Sequence, residues 1–342
     1  MLLDLLMETK ENWDGALLIP TLDEYVIFVS QNRPELKKRY VCGVQDWEVI
    51  GRIINKDKLY HQAQKIDVPT PRVFFPDSLQ SIAERRDDIS YPSILKPYET
   101  HIFDRVYGKK NFLVRDYQEL VEKFIECEKN DLKVMLSEII PGDDSAICTY
   151  RSYIDSKGNL LAEMCTQKLR QYPAMFGQGS VQATRPMNQE IRHLALSLLR
   201  SLSYQGFSST EFKRDHRDGR YKLMEINTRP GTVEWLLVSA GINSSYITYL
   251  DLVENTRIPA RGYNEELYWI NSHWEIVNFI ELLKSGNRNL RSFVEPYWKK
   301  KVFAVPFRDD PMHYLIDTYF TGMKVLKKAK KRLQYGRSKR RN

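Results

Sequence analysis

The segment Glu211-Phe212-Lys213-Arg214-Asp215, followed by a turn and then by Leu223-Met224-Glu225-Ile226-Asn227-Thr228-Arg229-Pro230-Gly231, decides the fold. The pattern predicts two antiparallel strands, in which alternate residues share a face, so Glu225 and Asn227 point the same way. A three-residue loop from Arg217 to Gly219, with Gly219 in the left-handed conformation, would place Glu211 opposite Glu225. A two-residue loop would place them on opposite faces. We adopt the first register because it explains why the carboxylates recur.

These side chains predict a metal site. Two carboxylates and an amide oxygen on one face are ligands suited to Mg²⁺, so we assign Glu211, Glu225 and Asn227 as metal ligands. The alternative is a soluble hairpin whose charged residues face water. The apolar Ile226 between two polar residues, together with basic residues upstream, favours the metal site.

Three of those basic residues suit a polyphosphate. Lys96 lies within the apolar strand Ser93 to Pro97, where an unpaired ammonium would be costly, so it needs an anion; the alternative is a lysine that reaches water at a strand edge. Lys58 lies on a helix, where a solvated face is an equally simple explanation. Lys168 precedes the glycine-bearing loop Tyr172 to Ser180, whose backbone amides could approach an anion.

A third element follows the strand from Val134 to Ile140. The strand ends in Pro141-Gly142, which leaves backbone groups unpaired at a junction between lobes and suits an edge that binds a flat base. Asp144, just beyond, could accept hydrogen bonds from ribose hydroxyls.

The order of these elements resembles the ATP-grasp superfamily, in particular the carboxylate-amine ligase branch that includes D-aspartate ligase. The resemblance extends from the helix at Asp23 to Asp309-Asp310-Pro311. It implies an α/β fold in which two lobes grip ATP, preceded by a shortened Rossmann-like domain. The domains expected are an N-terminal α/β segment at 1–75, a small lobe at 76–140, a large lobe at 141–311 and a basic, helix-like tail at 312–342.

The resemblance also implies which residues bind the nucleotide. Lys58 and Lys96 would contact the ATP phosphates, and Lys168 would approach the γ-phosphate. Glu138 and Ile140 would hold adenine, Ile140 through its backbone. The remaining nucleotide contact, to the ribose, would come from Asp144.

Metal and catalytic roles follow in the same way. Glu211, Glu225 and Asn227 would bind two Mg²⁺ ions, with Glu225 bridging them and Mn²⁺ able to substitute. Arg229 would stabilise the acyl phosphate or the transferring phosphoryl group. The loop from Tyr98 to Asn111 lacks the glycine-rich flap of many relatives, and its lysines, Lys109 and Lys110, are expected to supply cations in place of backbone amides.

The implied activity joins a small-molecule carboxylate to an amine through an acyl phosphate, releasing ADP and phosphate. The carboxylate substrate expected is an amino acid, which the enzyme would attach to a peptidoglycan or surface-polysaccharide precursor. Two alternatives remain: a kinase that phosphorylates a hydroxyl group on the same scaffold, and a non-catalytic nucleotide-binding module. The retained set of Glu211, Glu225 and Asn227 argues against the module.

Charge and cysteine content limit the other functions. The formal charge is +8, but ten Lys and Arg residues and no acid lie between 318 and 342, so the rest of the chain is close to neutral and nucleic-acid binding is not expected. The four cysteines form no CxxC pair, and no apolar stretch is long enough to span a bilayer, which predicts a cytoplasmic protein. The tail is either a solvated terminus or a weak attachment to an anionic membrane surface. The sequence leaves a homo-oligomer open.

Overall fold

The structure of the protein is a computed structural model. It describes residues 2–9, 12–98, 100–173, 177–256, 262–284 and 290–305, and then residues 311, 312, 315, 316, 318, 319 and 323. The basic residues from 324 to 342 and the pair Asp309-Asp310 lie outside the described residues, so the membrane attachment expected of the tail stays a prediction. Among the described helices, none has the length and apolarity that crossing a bilayer requires.

The described strands form three sheets. The strands are β1 (Leu17–Leu18), β2 (Val41–Cys42), β3 (Val73–Phe74), β4 (Ser93–Pro97), β5 (Phe112–Val114), β6 (Val134–Glu138), β7 (Ile147–Ile154), β8 (Leu160–Tyr172), β9 (Gln178–Arg185), β10 (Gly206–Arg214), β11 (Tyr221–Asn227), β12 (Tyr268–Ile270) and β13 (Lys301–Phe303). β1 and β2 pair with each other, the small sheet has the order β3-β6-β4-β5, and the large sheet has the order β11-β10-β7-β8-β9-β12-β13.

Helices cover the outer faces of these sheets. They are α1 (Leu2–Glu8), α2 (Asp23–Gln31), α3 (Arg33–Leu36), α4 (Trp47–Ile54), α5 (Lys56–Lys65), α6 (Leu79–Glu84), α7 (Thr100–Tyr107), α8 (Tyr117–Glu128), α9 (Gln189–Ser201), α10 (Glu234–Ala240), α11 (Ser244–Leu252), α12 (Ser272–Lys284) and α13 (Leu290–Val294).

The N-terminal segment shares a core with the large sheet. β1 and β2 run parallel, and Leu17 pairs with Val41. Helices α2 and α4 bury Val26 and Ile50 in the same apolar cluster as Leu198 of α9 and Leu223 of β11. Because these contacts cross between segments, the N-terminal segment packs against the large sheet instead of forming a core of its own.

The small sheet is antiparallel and buries one face against α7 and α8. On β4, Leu95 packs into the apolar cluster of this sheet, while Ile94 and Lys96 face the opposite side, as the period of two requires. The sheet begins with β3 at Val73, so it includes two residues that the sequence analysis placed in the N-terminal segment.

The large sheet contains one strand, β9, whose first three residues fall within the glycine-bearing loop predicted from Tyr172 to Ser180. The glycine-bearing segment after Tyr172 was expected to be irregular, but Gln178–Arg185 forms β9 and pairs with both β8 and β12. The strand lacks the apolar–polar alternation that would have predicted it, because small and polar residues such as Ser180, Gln182 and Thr184 are buried in it.

The hairpin of β10 and β11 has the expected pairing and an unexpected turn. Glu211 lies opposite Glu225, as predicted. The turn is longer than predicted, since Asp215 and Arg220 close it through a backbone hydrogen bond of 2.9 Å. A β-bulge at Met224 then shifts the register by one residue and restores the pairing of the two glutamates. Gly219 has φ of 73°, the left-handed conformation expected of it.

Buried ion pairs fasten this turn to the small sheet. Asp215, whose side chain is fully buried, accepts hydrogen bonds from Arg217 and lies 2.8 Å from the ammonium of Lys222. Arg217 also donates to Glu138 at the end of β6, over 2.9 Å. The hydrogen bonds from Arg217, with those from Lys222, outweigh burial and hold the pKa of Asp215 well below its usual range. The two lobes are therefore joined by charge at the hairpin tip.

Replacing Asp215 by asparagine should lower the free energy of unfolding by about 3 kcal/mol, because two cations then lose a buried partner. The depressed pKa makes this stabilisation present above about pH 4, the unfolded value, and lost progressively as the pH falls below it. Denaturant unfolding at pH 7 and pH 3 measures both effects. Asp218→Asn, an exposed change in the same turn, should cost about 1 kcal/mol or less. Equal losses in the two variants would contradict the assignment.

Candidate active site

A cleft of about 340 Å³ lies between the small sheet and the large sheet. Its walls carry more cations than anions. The charged residues that line it are Asp23, Lys56, Lys96, Lys110, Glu138, Arg151, Lys168, Glu211, Lys213, Glu225 and Arg229. A second groove, of about 360 Å³, lies on α4 and α5 around Trp47, but it holds none of the carboxylates of the predicted metal site. The first cleft is therefore the candidate active site.

The predicted metal ligands lie side by side on the floor of this cleft. Cross-strand pairing puts Glu211 beside Glu225, and Asn227 is two residues further along β11 on the same face. The amide of Asn227 donates a hydrogen bond of 2.9 Å to Glu225. Three oxygen-bearing side chains thus converge where two strands meet.

The electrostatics of Glu225 favour its ionised form. Its carboxylate is open to the solvent of the cleft but surrounded by the cleft walls. Burial within these walls raises the pKa of Glu225, but the hydrogen bond from Asn227 and the charges of Lys56 and Lys168 outweigh it, so the pKa lies below its usual value. Glu225 is therefore a carboxylate at neutral pH and available to a cation.

The donor set fits a hard divalent cation. Lys168 places its ammonium 2.9 Å from Glu211, so a positive charge already occupies one side of the site. Among the residues described, no three His, Cys, Asp or Glu side chains form a cluster. Two carboxylates and an amide suit Mg²⁺, which completes its shell with water and phosphate oxygens.

Lys96 faces the metal ligands from the small sheet. Burial, together with the charge of Lys56, lowers the pKa of Lys96 to about 8, although Glu225 and Glu211 act in the opposite direction. Lys56 at the start of α5 lies in the same cleft, and burial likewise lowers its pKa. Two lysines whose charged forms are destabilised by burial are suited to bind a polyanion, which favours the charged form.

Arg229 is held at the other end of the cleft. Its guanidinium makes two hydrogen bonds to Asp23 of α2, of 2.5 and 3.0 Å. This bidentate pair fixes the planar group relative to the N-terminal segment. Arg229 is therefore pre-oriented beside the end of β11, two residues beyond Asn227.

Together these groups can bind a polyphosphate between the two sheets, neutralise its charge and leave room for a second anionic reactant. None of the side chains in this arrangement is an activated nucleophile, so the geometry suits catalysis by positioning and charge stabilisation.

Comparisons with known proteins find similar curated sequences and similar solved folds. No family model matches the chain. The chain is 26% identical to the D-aspartate ligase of Enterococcus faecium over 249 residues, which cover 70% of this chain and 59% of that protein. It is 24% identical to the D-alanine–D-alanine ligase of Pseudomonas entomophila over 213 residues, 60% of this chain and 64% of that protein.

Solved structures decide the fold. The L-amino acid ligase of Bacillus licheniformis aligns with a TM-score of 0.55 and 17% identity, over 75% of this chain and 60% of that one. The biotin carboxylase domain of Hydrogenobacter thermophilus 2-oxoglutarate carboxylase, solved with MgADP and bicarbonate, aligns with a TM-score of 0.62 and 16% identity, over 78% and 59%. The chain has the ATP-grasp fold.

The predicted ATP-grasp fold is thus confirmed, and the sequence similarity to D-aspartate ligase agrees with the predicted branch. The chain spans 59% and 64% of the lengths of the two curated relatives. The ATP-grasp cleft carries most, but not all, of the residues expected in it.

Lys58 does not line the ATP-grasp cleft. Its side chain is exposed and lines the groove around Trp47, whereas Lys56 enters the cleft. Asn55 caps α5 by accepting a hydrogen bond from the backbone of Lys58, which makes Lys56 the first residue of the helix. Residues two apart on a helix are separated by about 200° around its axis, so only one of these lysines can face the cleft.

Of the three residues predicted to contact adenine and ribose, Ile140 and Glu138 line the cleft and Asp144 does not. Ile140 is buried and lines the cleft. Glu138 also lines it, but its carboxylate accepts hydrogen bonds from the backbone of Arg72 and from Arg217, so it fastens the lobes together. Asp144 does not line the cleft, because both of its oxygens accept hydrogen bonds from Gln171, of 2.9 and 2.7 Å.

The loop lysines separate in a similar way. Lys110 lines the cleft, while Lys109 places its ammonium 5.7 Å from the centre of the Phe112 ring. Sequence reasoning missed three cations in the cleft, Lys56, Arg151 and Lys213. Arg151 had a detectable signal, because a charged residue within a predicted strand raises the same question as Lys96. Lys56 had none, since only the start of α5 decides its direction.

The two helix lysines form a matched pair for mutation. We expect Lys56→Met to weaken the binding of MgATP about tenfold, the loss of one charge-assisted hydrogen bond, and Lys58→Met to leave it within about twofold. Calorimetric titration with MgADP or a non-hydrolysable ATP analogue measures both. The reverse order would return the nucleotide role to Lys58.

Proposed function

We propose that this protein is a ligase that uses MgATP to join a carboxylate to an amine. The observation that carries the proposal is the row formed by Glu211, Glu225 and Asn227, which faces Lys96 across the cleft of an ATP-grasp fold. The similarity to D-aspartate ligase and to D-alanine–D-alanine ligase, both named for reactions of amino acids, supports the same reaction class.

In the proposed reaction, a carboxylate oxygen attacks the γ-phosphorus of ATP. The bond from phosphorus to the bridging oxygen breaks, ADP leaves, and an acyl phosphate forms. The amine nitrogen then attacks the acyl carbon, phosphate leaves with the electrons of the broken C–O bond, and the nitrogen loses a proton to give the amide. Neither step needs a covalent bond to the protein.

The chain contributes charge and position. Lys96 and Lys56 bind the phosphates from the small sheet and from α5, and Lys168 holds the γ-phosphate beside Glu211. Adenine packs against Ile140, next to the segment that Lys213 fixes by a 2.8 Å hydrogen bond to the carbonyl of Gly142. Arg229, held by Asp23, stabilises the phosphoryl group as it transfers.

Glu211, Glu225 and Asn227 would hold Mg²⁺. When bound, the metal neutralises the charge of the ATP phosphates and of the transferring group. We propose two ions bridged by Glu225, with Mn²⁺ able to replace them, because two carboxylates and an amide leave most of each coordination shell to phosphate and water.

For the substrates we propose an amino acid and an amine-bearing precursor of the cell wall or of a surface polysaccharide. The similarity to D-aspartate ligase supports this choice. We also propose that the basic tail holds the protein weakly at the anionic inner face of the membrane, where a lipid-linked form of such a precursor would lie. A homo-oligomer is compatible with this arrangement.

The test is trapping of the activated carboxylate. The protein is incubated with MgATP, hydroxylamine and a panel of amino acids and other carboxylic acids, and ADP, phosphate and hydroxamate are measured. Hydroxamate that requires both ATP and the acid supports the ligase. Production of ADP with a phosphorylated hydroxyl compound would instead identify a kinase, and absence of both turnover and nucleotide binding would overturn the proposal.

A further inference from the structure

A buried arginine in the wall of the ATP-grasp cleft makes no ion pair with a carboxylate of the described residues. Arg151 is in the middle of β7, is 7% exposed, and lines the cleft. In the sheet it lies opposite Ser209 of β10, which in turn lies opposite Asn227 of β11. Arg151 therefore shares the face and the cross-strand row of one of the proposed metal ligands.

Its hydrogen-bond partners are all neutral. Arg151 donates to the hydroxyl of Thr166 over 3.3 Å, to the hydroxyl of Ser209 over 2.7 Å and to the side-chain oxygen of Gln182 over 3.4 Å. No carboxylate of the described residues forms an ion pair with it. The other arginine in this cleft, Arg229, is by contrast paired with Asp23.

The guanidinium remains charged in spite of its burial. Burial lowers the pKa of Arg151 to about 10, and the charges of Glu234 and Glu211 partly offset this effect. At neutral pH the group is therefore a cation. A buried cation that has only neutral partners is costly, and an anion from outside the protein removes that cost.

The unused donors match a carboxylate. A guanidinium has five N–H groups, and the three hydrogen bonds of Arg151 leave one N–H on each terminal nitrogen without a partner among the described residues. Two adjacent donors of this kind can donate hydrogen bonds to the two oxygens of one carboxylate.

The position of the group favours the substrate over the nucleotide. Along β7 the residues that face the cleft are Ile147, Thr149 and Arg151, and Ile147 lies opposite Lys213, which contacts the segment next to Ile140. Arg151 is thus the furthest of the three from the proposed adenine site. Its guanidinium lies between Ser209 of β10 on one side and Thr166 and Gln182, of β8 and β9, on the other.

We propose that Arg151 binds an anionic group of the acid substrate, a second carboxylate distinct from the one that is activated. This inference rests on the proposed function, and it makes Arg151 a residue that determines specificity: small acids with two carboxylates are preferred over the same acids with one.

The experiment compares matched acids in the hydroxamate assay. The dicarboxylate probes are aspartate and glutamate, each as both enantiomers, and succinate. Their monocarboxylate matches are alanine for aspartate, 2-aminobutyrate for glutamate and butyrate for succinate. We expect wild-type kcat/KM to be about 100-fold higher for at least one dicarboxylate than for its match. Arg151→Met should abolish that preference and leave the KM for ATP within about twofold.

Two further variants separate charge from structure. Arg151→Lys keeps the charge and should retain part of the preference, whereas Thr166→Val removes one neutral partner and should leave the preference intact. If Arg151→Met does not fold, as judged by thermal unfolding, Arg151→Gln takes its place. A preference that survives in a folded variant without the charge overturns the proposal, and so does a raised KM for ATP with an unchanged preference, which would place the nucleotide phosphates at Arg151.

A binding measurement keeps this inference separate from the proposed reaction. Succinate is titrated calorimetrically into the full-length protein in the presence of MgADP, with butyrate as control. Wild type should bind succinate at least about tenfold more tightly than Arg151→Met. That result would support the site even if no hydroxamate formed and the ligase assignment failed, while equal affinities would overturn the site with the ligase assignment intact.

Discussion

Glu225→Gln is expected to reduce ATP-dependent turnover about 1,000-fold, because loss of a metal-bound carboxylate removes several kcal/mol of charge stabilisation. The variant should still fold, since Glu225 is open to the solvent of the cleft and its hydrogen-bond partner, Asn227, can also donate to glutamine. Steady-state release of ADP, measured over a range of Mg²⁺ concentrations, and thermal unfolding provide the two readouts.

The control for this variant is Glu128→Gln, the same change at an exposed position on the last turn of α8. It should leave turnover unaltered. Asn227→Ala should behave like Glu225→Gln, although more weakly at high Mg²⁺, because an amide is a weaker ligand than a carboxylate. Wild-type rates in folded Glu225→Gln at low Mg²⁺ would refute the metal assignment.

Lys96→Met should weaken the binding of MgATP about 100-fold, since a phosphate group loses a partially buried cation. The pH dependence of wild-type binding gives an independent test. With its pKa lowered to about 8, Lys96 is charged below that pH and loses its proton above it. Nucleotide binding favours the ammonium, so above pH 8 it must take up a proton, and the affinity should fall by up to about tenfold per pH unit.

Calorimetric titration with MgADP between pH 7 and 10 measures this profile. In Lys96→Met the fall above pH 8 should be lost, and in Lys96→Arg the affinity should stay high to the upper end of the range. Lys129→Met, an exposed lysine just after α8, should keep both the affinity and the profile of wild type. An unchanged profile in Lys96→Met would assign the titration to another group.

The lysines show which features of the site could be predicted from sequence patterns. Lys96 could be placed because a strand has a period of two, and a charged residue among apolar ones must either reach water or meet an anion. The helix lysine of the cleft could not be placed from the sequence. The choice between Lys56 and Lys58 depends on where Asn55 caps the helix, because the cap decides which side of the helix axis faces the cleft. The hydrogen bonds of Glu138 and Asp144 could not be predicted for a related reason, because only neighbours distant in sequence, Arg217 and Gln171, decide the partners of these carboxylates.

The sequence by itself determined the ATP-grasp fold, the alternation that turns Glu225 and Asn227 to one face, and the pairing of Glu211 with Glu225. These follow from local periodicity and from the order of the elements along the chain. Only the tertiary structure decided that a bulge at Met224 restores this pairing after a longer turn, and that Lys56 and Arg151 enter the cleft. It also decided which of the two loop lysines, Lys109 and Lys110, lines the cleft. The physical reason is that a strand pattern fixes which residues share a face, while the partners of a charged group depend on how three sheets pack together.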